Sequence, residues 1–295
     1  MNITLVSNEY QIIINTVGAE LKSFQNPSGK EFIWNSDPVH WMRSSPLLFP
    51  SIGNVRHNKT IINGSTYQMA KHGFCKDMEF KLLSNGSNYA TFALEANEET
   101  LKSYPYYFKL LLTYELHGNK IRMTYQVFNQ SEDTMYYHIG AHPGFMCPLE
   151  AGEALEDYVL EFEKKENIKS TVYDIHNQCF LTSEGYLCLD NSSLLPLSVE
   201  MFDHDAIYFR HTNSRAVSLI NPITRKGIHL AYPDFSSIAF WTPVGGQSPF
   251  LCLEPWNGAA IFDDEDDNFC HKRDIQTLKH NECSTYQLEI SLLGY

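Results

Sequence analysis

The sequence predicts an all-β protein, and three observations support this prediction. Apolar and polar residues alternate in many short runs, turn residues separate the runs, and helical periodicity is scarce. Successive side chains of a strand point to opposite faces, so such alternation is typical of a strand with one buried face. The runs recur at close to the roughly 8–12-residue spacing that is expected of a β-sandwich or a β-barrel.

The clearest hairpin lies in the middle of the chain. A run over Lys109–Leu116 leads through the turn His117–Lys120 into a second run over Ile121–Val127. In the second run the apolar side chains share one parity and the polar side chains the other, so we expect one face to be buried. The expected core residues are Ile121, Met123, Tyr125 and Val127.

The other runs are assigned in the same way. We predict N-terminal strands over Glu9–Asn15, Ala19–Phe24 and Glu31–Trp34, with a hairpin turn at Asn26–Gly29. Short helical turns are predicted at Glu98–Tyr104 and Pro196–Phe202. Strands in the C-terminal half are predicted over Ala206–His211, Ala216–Ile220, Gly227–Tyr232, Ser237–Trp241, Phe250–Glu254 and Tyr286–Leu292.

Length and composition predict one folded domain over residues 1–295. Large all-β sandwiches reach about 200–250 residues as one unit, so a single domain of this length is reasonable. Hydrophobic residues make up 43% of the chain, and 18 Phe, 17 Tyr and 4 Trp supply large apolar area. A chain of this size buries roughly three quarters of its unfolded surface, which argues against disorder.

Charge and cysteine content limit the partners and the compartment. The net charge of −13 argues against nucleic acid and anionic membranes as partners, because both are bound through clustered Lys and Arg. No apolar run approaches the ~20 residues that span a bilayer, and the N-terminus lacks the basic region of a signal peptide. Seven cysteines, an odd number without tight spacing, favour reduced thiols. We therefore predict a cytoplasmic protein.

His142 is the first candidate for acid–base chemistry. It follows a strand-like stretch and precedes Pro143-Gly144, where the chain must turn. Histidine can hold or release a proton near neutral pH, so a histidine presented at a strand end suits a proton donor. A packed or surface histidine is the alternative interpretation of the residue taken alone.

Glu254 is the second candidate, with Trp256 beside it. Glu254 ends an apolar strand, and an unpaired carboxylate is costly to bury, so it must be paired or face a cleft. The indole of Trp256 suits the apolar face of a sugar ring. The pattern indicates a general base in a carbohydrate pocket, and a glutamate in a structural ion pair is the alternative.

Two further stretches contain candidate binding residues. His72 begins a His-Gly-Phe sequence, and Arg56 lies in a turn over Gly53–Lys59, where its planar guanidinium could hold sugar hydroxyls. Taken alone, each is better explained as an ordinary surface or core residue. We predict no metal site, since the chain has neither a CxxC pair nor an HExxH sequence. The acidic run Asp263–Asp267 lacks the pattern of an EF-hand and is interpreted as a solvated loop.

Together these stretches resemble the aldose 1-epimerase (galactose mutarotase) family. The resemblance covers nearly the whole chain, and the His-Pro-Gly-Phe and Glu-Pro-Trp stretches are specific when they occur together in this order. The chain resembles the shorter, lactose-operon-associated bacterial branch, because Lys71 precedes His72 where other galactose mutarotases have a more elaborate Asn-His sequence. The matching stretches are Arg56, His72-Gly73-Phe74, His142-Pro143-Gly144-Phe145, Asp203–Ile207, Phe240–Pro243 and Cys252–Trp256.

The resemblance implies a large antiparallel β-sandwich, the galactose mutarotase-like supersandwich, and a set of roles. Glu254 matches the general base that takes a proton from the O1 hydroxyl of the sugar, and His142 matches the general acid that protonates the ring oxygen. The residues that match substrate-binding positions are His72, Arg56 and Asp205, with Asp203 as an alternative to Asp205.

The implied reaction exchanges the α and β anomers of a free hexose by opening and closing the ring. No electrons move to a carrier, so we predict no cofactor. The pair must start with an ionised glutamate and a protonated histidine, and we expect a bell-shaped pH profile whose limbs belong to the pair. The only partner predicted is the sugar, and a homodimer is compatible with the sequence.

Three other functions compete with this prediction. A hexose-6-phosphate 1-epimerase would need a further cation such as Arg43 or Lys71, and the net charge of −13 argues mildly against it. A non-catalytic carbohydrate-binding protein would have no need of an acid–base pair. A glycosidase or lyase needs two carboxylates, for which only Glu254 and Asp205 are candidates.

Overall fold

Antiparallel strands make up most of the regular structure. A computed structural model describes residues 1–245 and 248–295, except for the side chains of Glu184 and Cys188. The described residues form 22 strands, one short α-helix and five short 3-10 helices. The prediction of an all-β protein is therefore confirmed.

The helices are short, and the strands range from two to eighteen residues. The α-helix α1 covers Glu98–Leu101, and the 3-10 helices cover Arg56–Asn58, Cys75–Asp77, Leu155–Asp157, Val199–Phe202 and Phe269–His271. The strands are β1 (Asn2–Ser7), β2 (Tyr10–Asn15), β3 (Glu20–Gln25), β4 (Leu47–Leu48), β5 (Lys59–Ile62), β6 (Ser65–Gln68), β7 (Lys81–Asn85), β8 (Tyr89–Glu95), β9 (Phe108–His117), β10 (Lys120–Asn129), β11 (Met135–Tyr137), β12 (Ile139–Ala141), β13 (Gly144–Met146), β14 (Val159–Asp174), β15 (Cys179–Pro196), β16 (Ile207–Phe209), β17 (Ala216–Ile220), β18 (Gly227–Ala231), β19 (Ser237–Trp241), β20 (Phe250–Asn257), β21 (Gln276–Leu278) and β22 (Cys283–Leu293).

Two large sheets enclose the core. The first has nine strands in the order β15-β14-β17-β18-β22-β10-β9-β8-β7, and the second has the order β16-β19-β20-β12-β4, with β13 also paired to β20. Phe162 of the nine-stranded sheet packs against Phe240 of the second sheet with ring centroids 5.9 Å apart. Both rings belong to one large apolar cluster, so the two sheets share a core as in a sandwich.

The central hairpin forms as the sequence predicts. Strands β9 and β10 pair in register, with Met123 opposite Tyr114, and burial alternates along both strands. The four predicted core residues are all at least 98% buried, because their shared parity turns them to the inner face. Helical turns at Glu98–Leu101 and Val199–Phe202 also agree with the predicted positions.

One local prediction is wrong and one hairpin was missed. The stretch Glu31–Trp34 makes only single bridges, from Glu31 to Gln25 and from Ile33 to Phe145, because the chain passes here from the small sheet of β1, β2 and β3 to the second large sheet. The long hairpin of β14 and β15 was not predicted, because four register shifts interrupt its alternation of apolar and polar residues.

The second sheet positions the candidate catalytic residues. Strand β20 pairs with β19 so that Glu254 lies opposite Ala239, and it pairs with β12 so that Trp256 lies opposite Gly140. The turn between β12 and β13 is fastened to β20 by the amide of Leu253, which donates to the carbonyl of Pro143 at 3.0 Å. This turn contains His142, so its imidazole lies beside Glu254.

Two further observations concern the whole chain. No helix within the described residues is long and apolar enough to cross a membrane. The six cysteines whose side chains the structure describes are all free thiols, four of them buried.

Candidate active site

A cavity of about 320 Å³ lies at the second sheet and contains five of the six predicted site residues. They are Glu254, His142, His72, Asp205 and Trp256. The cavity wall is completed by residues from several other parts of the chain: Trp41, Arg43, Pro46, Leu48, Gly53, Lys71, Lys76, Tyr173, Phe180, Ala206, Trp241 and Ala260.

Glu254 and His142 form a buried pair. The His142 Nε2 and Glu254 Oε2 atoms lie 3.1 Å apart, and the two side chains are 9% and 1% exposed. The contact is not aligned as a hydrogen bond, so Glu254 Oε2 has no hydrogen-bond partner among the described residues, and neither has His142 Nδ1. Buried polar atoms without partners are rare in folded proteins, and these two belong to residues that line the cavity where a ligand would bind.

Burial shifts the pKa values of this pair in opposite directions. It raises the pKa of Glu254 well above its usual value, although the nearby Lys71 ammonium acts against this rise. Burial, followed by the charge of Lys71, lowers the pKa of His142 to about 3. Both shifts favour the uncharged groups, so the pair is expected to hold a single proton over a wide pH range.

Aromatic rings enclose the His142 imidazole. Trp41 stacks on it with ring centroids 4.9 Å apart and planes at 28°, and Trp241 meets it edge-on at 5.7 Å. The loop that carries Trp41 is held by Trp34, whose indole Nε1 donates to the Trp41 carbonyl at 2.7 Å. These apolar surfaces keep water away from His142 and provide flat faces for the C–H groups of a sugar.

His72 is fixed in one tautomer by its backbone surroundings. The amide of Gly53 donates to His72 Nδ1 at 3.1 Å, so the imidazole proton lies on Nε2. Burial lowers the pKa of His72 well below its usual value, which keeps the ring neutral.

The backbone at His72 and Gly73 is in the left-handed region, with φ values of 64° and 68°. Gly73 also lies against the Phe49 carbonyl, and a Cβ added at Gly73 would be only 2.2 Å from the carbonyl oxygen. The chain thus holds His72 in a costly backbone conformation, as functional sites often do.

The structure distinguishes the two candidate aspartates. Asp205 lines the cavity, and its Oδ1 accepts a hydrogen bond from Trp241 Nε1 at 2.9 Å. Asp203 ends the 3-10 helix Val199–Phe202 and is exposed to solvent. Asp205 has a φ of 68°, a conformation that aspartate tolerates better than most residues, and this turns its carboxylate toward Trp241.

Arg56 is the one predicted site residue that does not line this cavity. Its Nε contacts Asp267 Oδ1 at 3.2 Å, and its Nη2 donates to the Glu265 carbonyl at 2.8 Å. Through these contacts Arg56 holds the acidic loop Asp263–Asp267 in place. The loop also forms an ion pair between Asp264 and Arg273, so it is fixed by ion pairs as well as exposed to solvent. The arginine that lines the cavity is Arg43.

Sequence reasoning missed Trp41 as a site residue. The stretch around it has no strand periodicity, so nothing placed it near His142. The one feature that could have indicated Trp41 is its residue type. A tryptophan in an irregular polar loop is expected to pack its ring against another part of the protein or against a ligand.

One cluster of donor atoms could hold a metal ion. The ligand atoms of His142, Cys252 and Glu254 all lie within 4.8 Å of one another, and the three residues are buried. Burial raises the pKa of the Cys252 thiol well above its usual value, so the sulfur is protonated, and a metal would have to displace that proton to bind.

The chain belongs to the aldose 1-epimerase family, whose family model matches residues 1–267. It is 33% identical to chromosomal protein LacX of Lactococcus lactis subsp. lactis over 296 residues, which covers 98% of this chain and 99% of LacX. The match to LacX confirms the prediction that the chain lies in the lactose-operon-associated branch.

Solved structures confirm the galactose mutarotase-like fold. A galactose mutarotase related enzyme from Lactobacillus acidophilus has a TM-score of 0.92 and 28% identity, covering 99% of this chain and 97% of that one. A galactose mutarotase-like protein from Lactobacillus casei has a TM-score of 0.89 and 27% identity, covering 99% of this chain and all of that one.

Proposed function

We propose that this chain is an aldose 1-epimerase, an isomerase that interconverts the α and β anomers of an aldose. The observation that carries the proposal is the buried pair of Glu254 and His142, 3.1 Å apart, in a cavity walled by tryptophan rings. A ligand-binding protein has no need to desolvate two titratable groups side by side, whereas general acid–base catalysis requires groups of this kind.

The reaction opens and recloses the sugar ring. Glu254 takes the proton of the O1 hydroxyl, His142 gives a proton to the ring oxygen, and the bond between C1 and the ring oxygen breaks. C1 becomes an aldehyde carbon, the C1–C2 bond rotates, and the ring oxygen attacks the other face of C1. The two proton transfers then run backwards, so atoms and protons balance and no cofactor is consumed.

The mechanism and the pKa shifts require the same number of protons on the pair of Glu254 and His142. The mechanism starts from an ionised Glu254 and a protonated His142, whereas burial favours the uncharged pair. Both forms hold one proton, and they differ by its transfer across a separation of 3.1 Å. Sugar hydroxyls supply hydrogen bonds to both groups, and hydrogen bonds to the charged forms favour the ionised pair.

The remaining site residues bind and orient the sugar in this proposal. His72 presents a neutral Nε2–H, which can donate to a sugar oxygen, because its Nδ1 is occupied by the Gly53 amide. The Asp205 carboxylate accepts from sugar hydroxyls, and the indole faces of Trp41 and Trp256 contact the apolar side of the ring.

The test is polarimetry of freshly dissolved α-galactose and α-glucose, with and without the protein. We expect the protein to accelerate the change in optical rotation. Glu254→Gln and His142→Asn should each reduce kcat by about 100-fold or more, since one positioned acid or base typically contributes about 10²–10⁴ in rate. Circular dichroism should show that both variants stay folded.

Two variants far from the cavity serve as matched controls. Glu95→Gln and His117→Asn make the same chemical changes at exposed positions of the nine-stranded sheet and should keep full activity. Full activity in Glu254→Gln would remove that residue from the mechanism. A folded wild-type protein that binds sugar without accelerating anomer exchange would instead make this a carbohydrate-binding protein.

A further inference from the structure

Three buried side chains converge at the floor of the cavity, and the proposed reaction uses only two of them. The ligand atoms of His142, Cys252 and Glu254 lie within 4.8 Å of one another, and all three residues are buried. His142 and Glu254 line the cavity, whereas Cys252 does not. A third group that can bind a metal ion therefore lies behind the acid–base pair, where anomer exchange has no use for it.

Strand β20 and the turn before β13 bring the three residues together. Cys252 and Glu254 are two residues apart on β20, so their side chains point to the same face of the strand. His142 lies two residues before Gly144, which pairs with Cys252. A Cβ added at Gly144 would be 3.3 Å from the Cys252 Sγ atom, so the glycine leaves space over the sulfur. The cluster thus results from strand register, which explains why no metal-binding sequence motif marks it.

The separation of His142 and Glu254 is that of two ligands on one metal ion. Zn–N and Zn–O bonds of about 2.0–2.2 Å at a tetrahedral angle place the two ligand atoms about 3.3 Å apart. The His142 Nε2 and Glu254 Oε2 atoms are 3.1 Å apart without being aligned as a hydrogen bond. Glu254 Oε2 has no hydrogen-bond partner among the described residues, so this buried oxygen is available to a cation.

The donor set favours zinc. Imidazole and thiolate ligands bind Zn²⁺ in preference to Mg²⁺ and Ca²⁺, which prefer oxygen. A thiolate and a carboxylate balance the two charges of the ion, and a neutral centre suits a buried position. The charges of Lys71 and Asp205 act on Glu254 in opposite directions, so their effects on a bound cation partly cancel. Three protein ligands leave a fourth position open towards the cavity, as in zinc sites that keep a water molecule.

We propose that His142, Cys252 and Glu254 bind Zn²⁺ and that the bound ion blocks anomer exchange. The ion occupies the lone pair of His142 Nε2 and a carboxylate oxygen of Glu254, which are the positions that give and take protons in the reaction. The Cys252 thiol releases its proton to solvent when the ion binds. Zinc binding follows from the geometry alone, whereas the inhibition rests on the proposed function.

Zinc is expected to bind reversibly. Metal-bound histidines almost always donate their second ring N–H to an acceptor, but His142 Nδ1 has no hydrogen-bond partner among the described residues. The lack of such an acceptor typically costs about 10–100-fold in affinity. We therefore expect a chelator to remove the ion and to restore activity.

Cobalt is the probe for binding, since Co²⁺ occupies tetrahedral zinc sites and absorbs visible light. Titration of the chelator-treated protein with Co²⁺ should produce ligand-field bands in the visible and a thiolate charge-transfer band in the near ultraviolet, and Zn²⁺ should abolish both by displacement. Cys252→Ser and Cys252→Ala should lose the charge-transfer band. Calorimetry should show that they bind Zn²⁺ at least about 100-fold more weakly, since a ligand contributes more than an outer partner does.

Cys147→Ser is the matched control, because it changes another buried cysteine outside the cluster. It should bind Co²⁺ and Zn²⁺ as the wild type does, and circular dichroism should show that all variants are folded. No charge-transfer band in the wild type, or bands of equal strength in both Cys252 variants, would overturn the zinc site.

Inhibition is measured as the ratio of the anomer exchange rates with Zn²⁺ and with a chelator, each protein being compared with itself. The wild type and Cys147→Ser should give a ratio of about 0.01 or less at saturating Zn²⁺, because one positioned acid or base contributes about 10²–10⁴ in rate. The two Cys252 variants should give a ratio near 1 at the same Zn²⁺ concentration.

The outcomes separate the two proposals. A wild type that exchanges anomers equally fast with Zn²⁺ and with the chelator would overturn the inhibition and leave the epimerase activity standing. Cobalt bands that depend on Cys252, in a protein that accelerates the exchange of no sugar, would support the zinc site and overturn the epimerase activity.

Discussion

Burial controls the chemistry of the site at the scale of single residues. Glu254 and His142 are both nearly inaccessible to solvent, and desolvation shifts their pKa values in opposite directions. Each shift favours the uncharged form of its group. Glu254 and His142 together therefore hold one proton at pH values where an isolated glutamate would already be ionised and an isolated histidine could still be protonated. The consequence is a site whose protonation is stable around neutral pH.

The pH profile of kcat/KM should therefore be a broad bell. Activity requires one proton on the pair, so it falls when the pair gains a second proton near the lowered pKa of His142, about 3. On the alkaline side it falls as pH rises through the raised pKa of Glu254. Polarimetry from about pH 4.5 to about pH 9, corrected for the uncatalysed rate, should show a plateau through mildly acidic pH. An acid limb centred near the ordinary histidine pKa of about 6.5 would contradict this.

Asp205 and Asp203 provide a second test at the residue scale. Asp205→Asn keeps the size of the side chain and its tolerance of a positive φ but removes the negative charge beside Trp241. We expect kcat/KM to fall by about 10-fold, chiefly through KM, because a charged acceptor for sugar hydroxyls is lost. The exposed Asp203 provides the matched control, and Asp203→Asn should behave as the wild type. The reverse pattern in steady-state kinetics would assign the role to Asp203.

The sequence identifies site residues only where a local signal exists. Glu254 and His142 were predicted because each precedes a proline in a stretch that resembles the family's sequence, and both line the cavity, although β20 continues past Glu254 to Asn257. Arg56 does not line the cavity, and no local pattern reveals its pairing with Asp267, which is 211 residues away. Trp41 could not be predicted for the same reason, because its contact with His142 exists only in the folded chain.

At the scale of elements, the central hairpin contributes strongly to the core. Met123 is 2% exposed, and its strand pairs with both β9 and β22. Met123→Ala should lower the free energy of unfolding in urea by roughly 2–5 kcal/mol, through lost burial and the cavity left behind. The neighbouring Arg122 points to the other face, so Arg122→Ala should change stability by no more than about 0.5 kcal/mol. Similar losses in both variants would show that the register of the strand is wrong.

Regular strands were predictable and irregular ones were not. Ala216–Ile220 and Ser237–Trp241 were predicted with the bounds that the structure gives them. The hairpin of β14 and β15 shifts register after Glu161, Glu166, Lys169 and Thr171, and a shift of one residue reverses the face to which the following side chains point. A pattern of period two cannot survive such shifts, so the pairing of these strands is set by tertiary contacts.

At the scale of the whole molecule, neutral buried histidines link stability to pH. His138 is fully buried, its Nδ1 accepts from the Ile52 amide at 3.4 Å, and its Nε2 lies 3.1 Å from the Arg273 carbonyl. Burial, followed by the charge of Lys272, lowers the pKa of His138 to about 3. The unfolded chain therefore binds a proton at His138 at higher pH than the folded chain does, and folding is opposed as pH falls from about 6.5 toward 3.

We expect the free energy of unfolding to decrease as pH falls below about 6.5, with a slope of at most about 1.4 kcal/mol per pH unit from His138. Glu254 contributes the opposite sign, since its raised pKa costs stability as pH rises from its unfolded value of about 4.5. His138→Asn should reduce the slope measured by urea unfolding at several pH values, whereas His117→Asn, at the exposed end of β9, should not. An unchanged slope in His138→Asn would show that folding does not lower the pKa of this ring.

The position of β22 has a consequence for how the chain reaches its folded state during synthesis. This strand follows every other strand along the described chain, yet it lies in the middle of the nine-stranded sheet, between β18 and β10. Until it is made, β10 presents a ten-residue unpaired edge with alternating apolar side chains, and such edges recruit other chains. The nascent protein is thus prone to aggregation after β10 and β18 have been made and before β22 joins the two parts of the sheet.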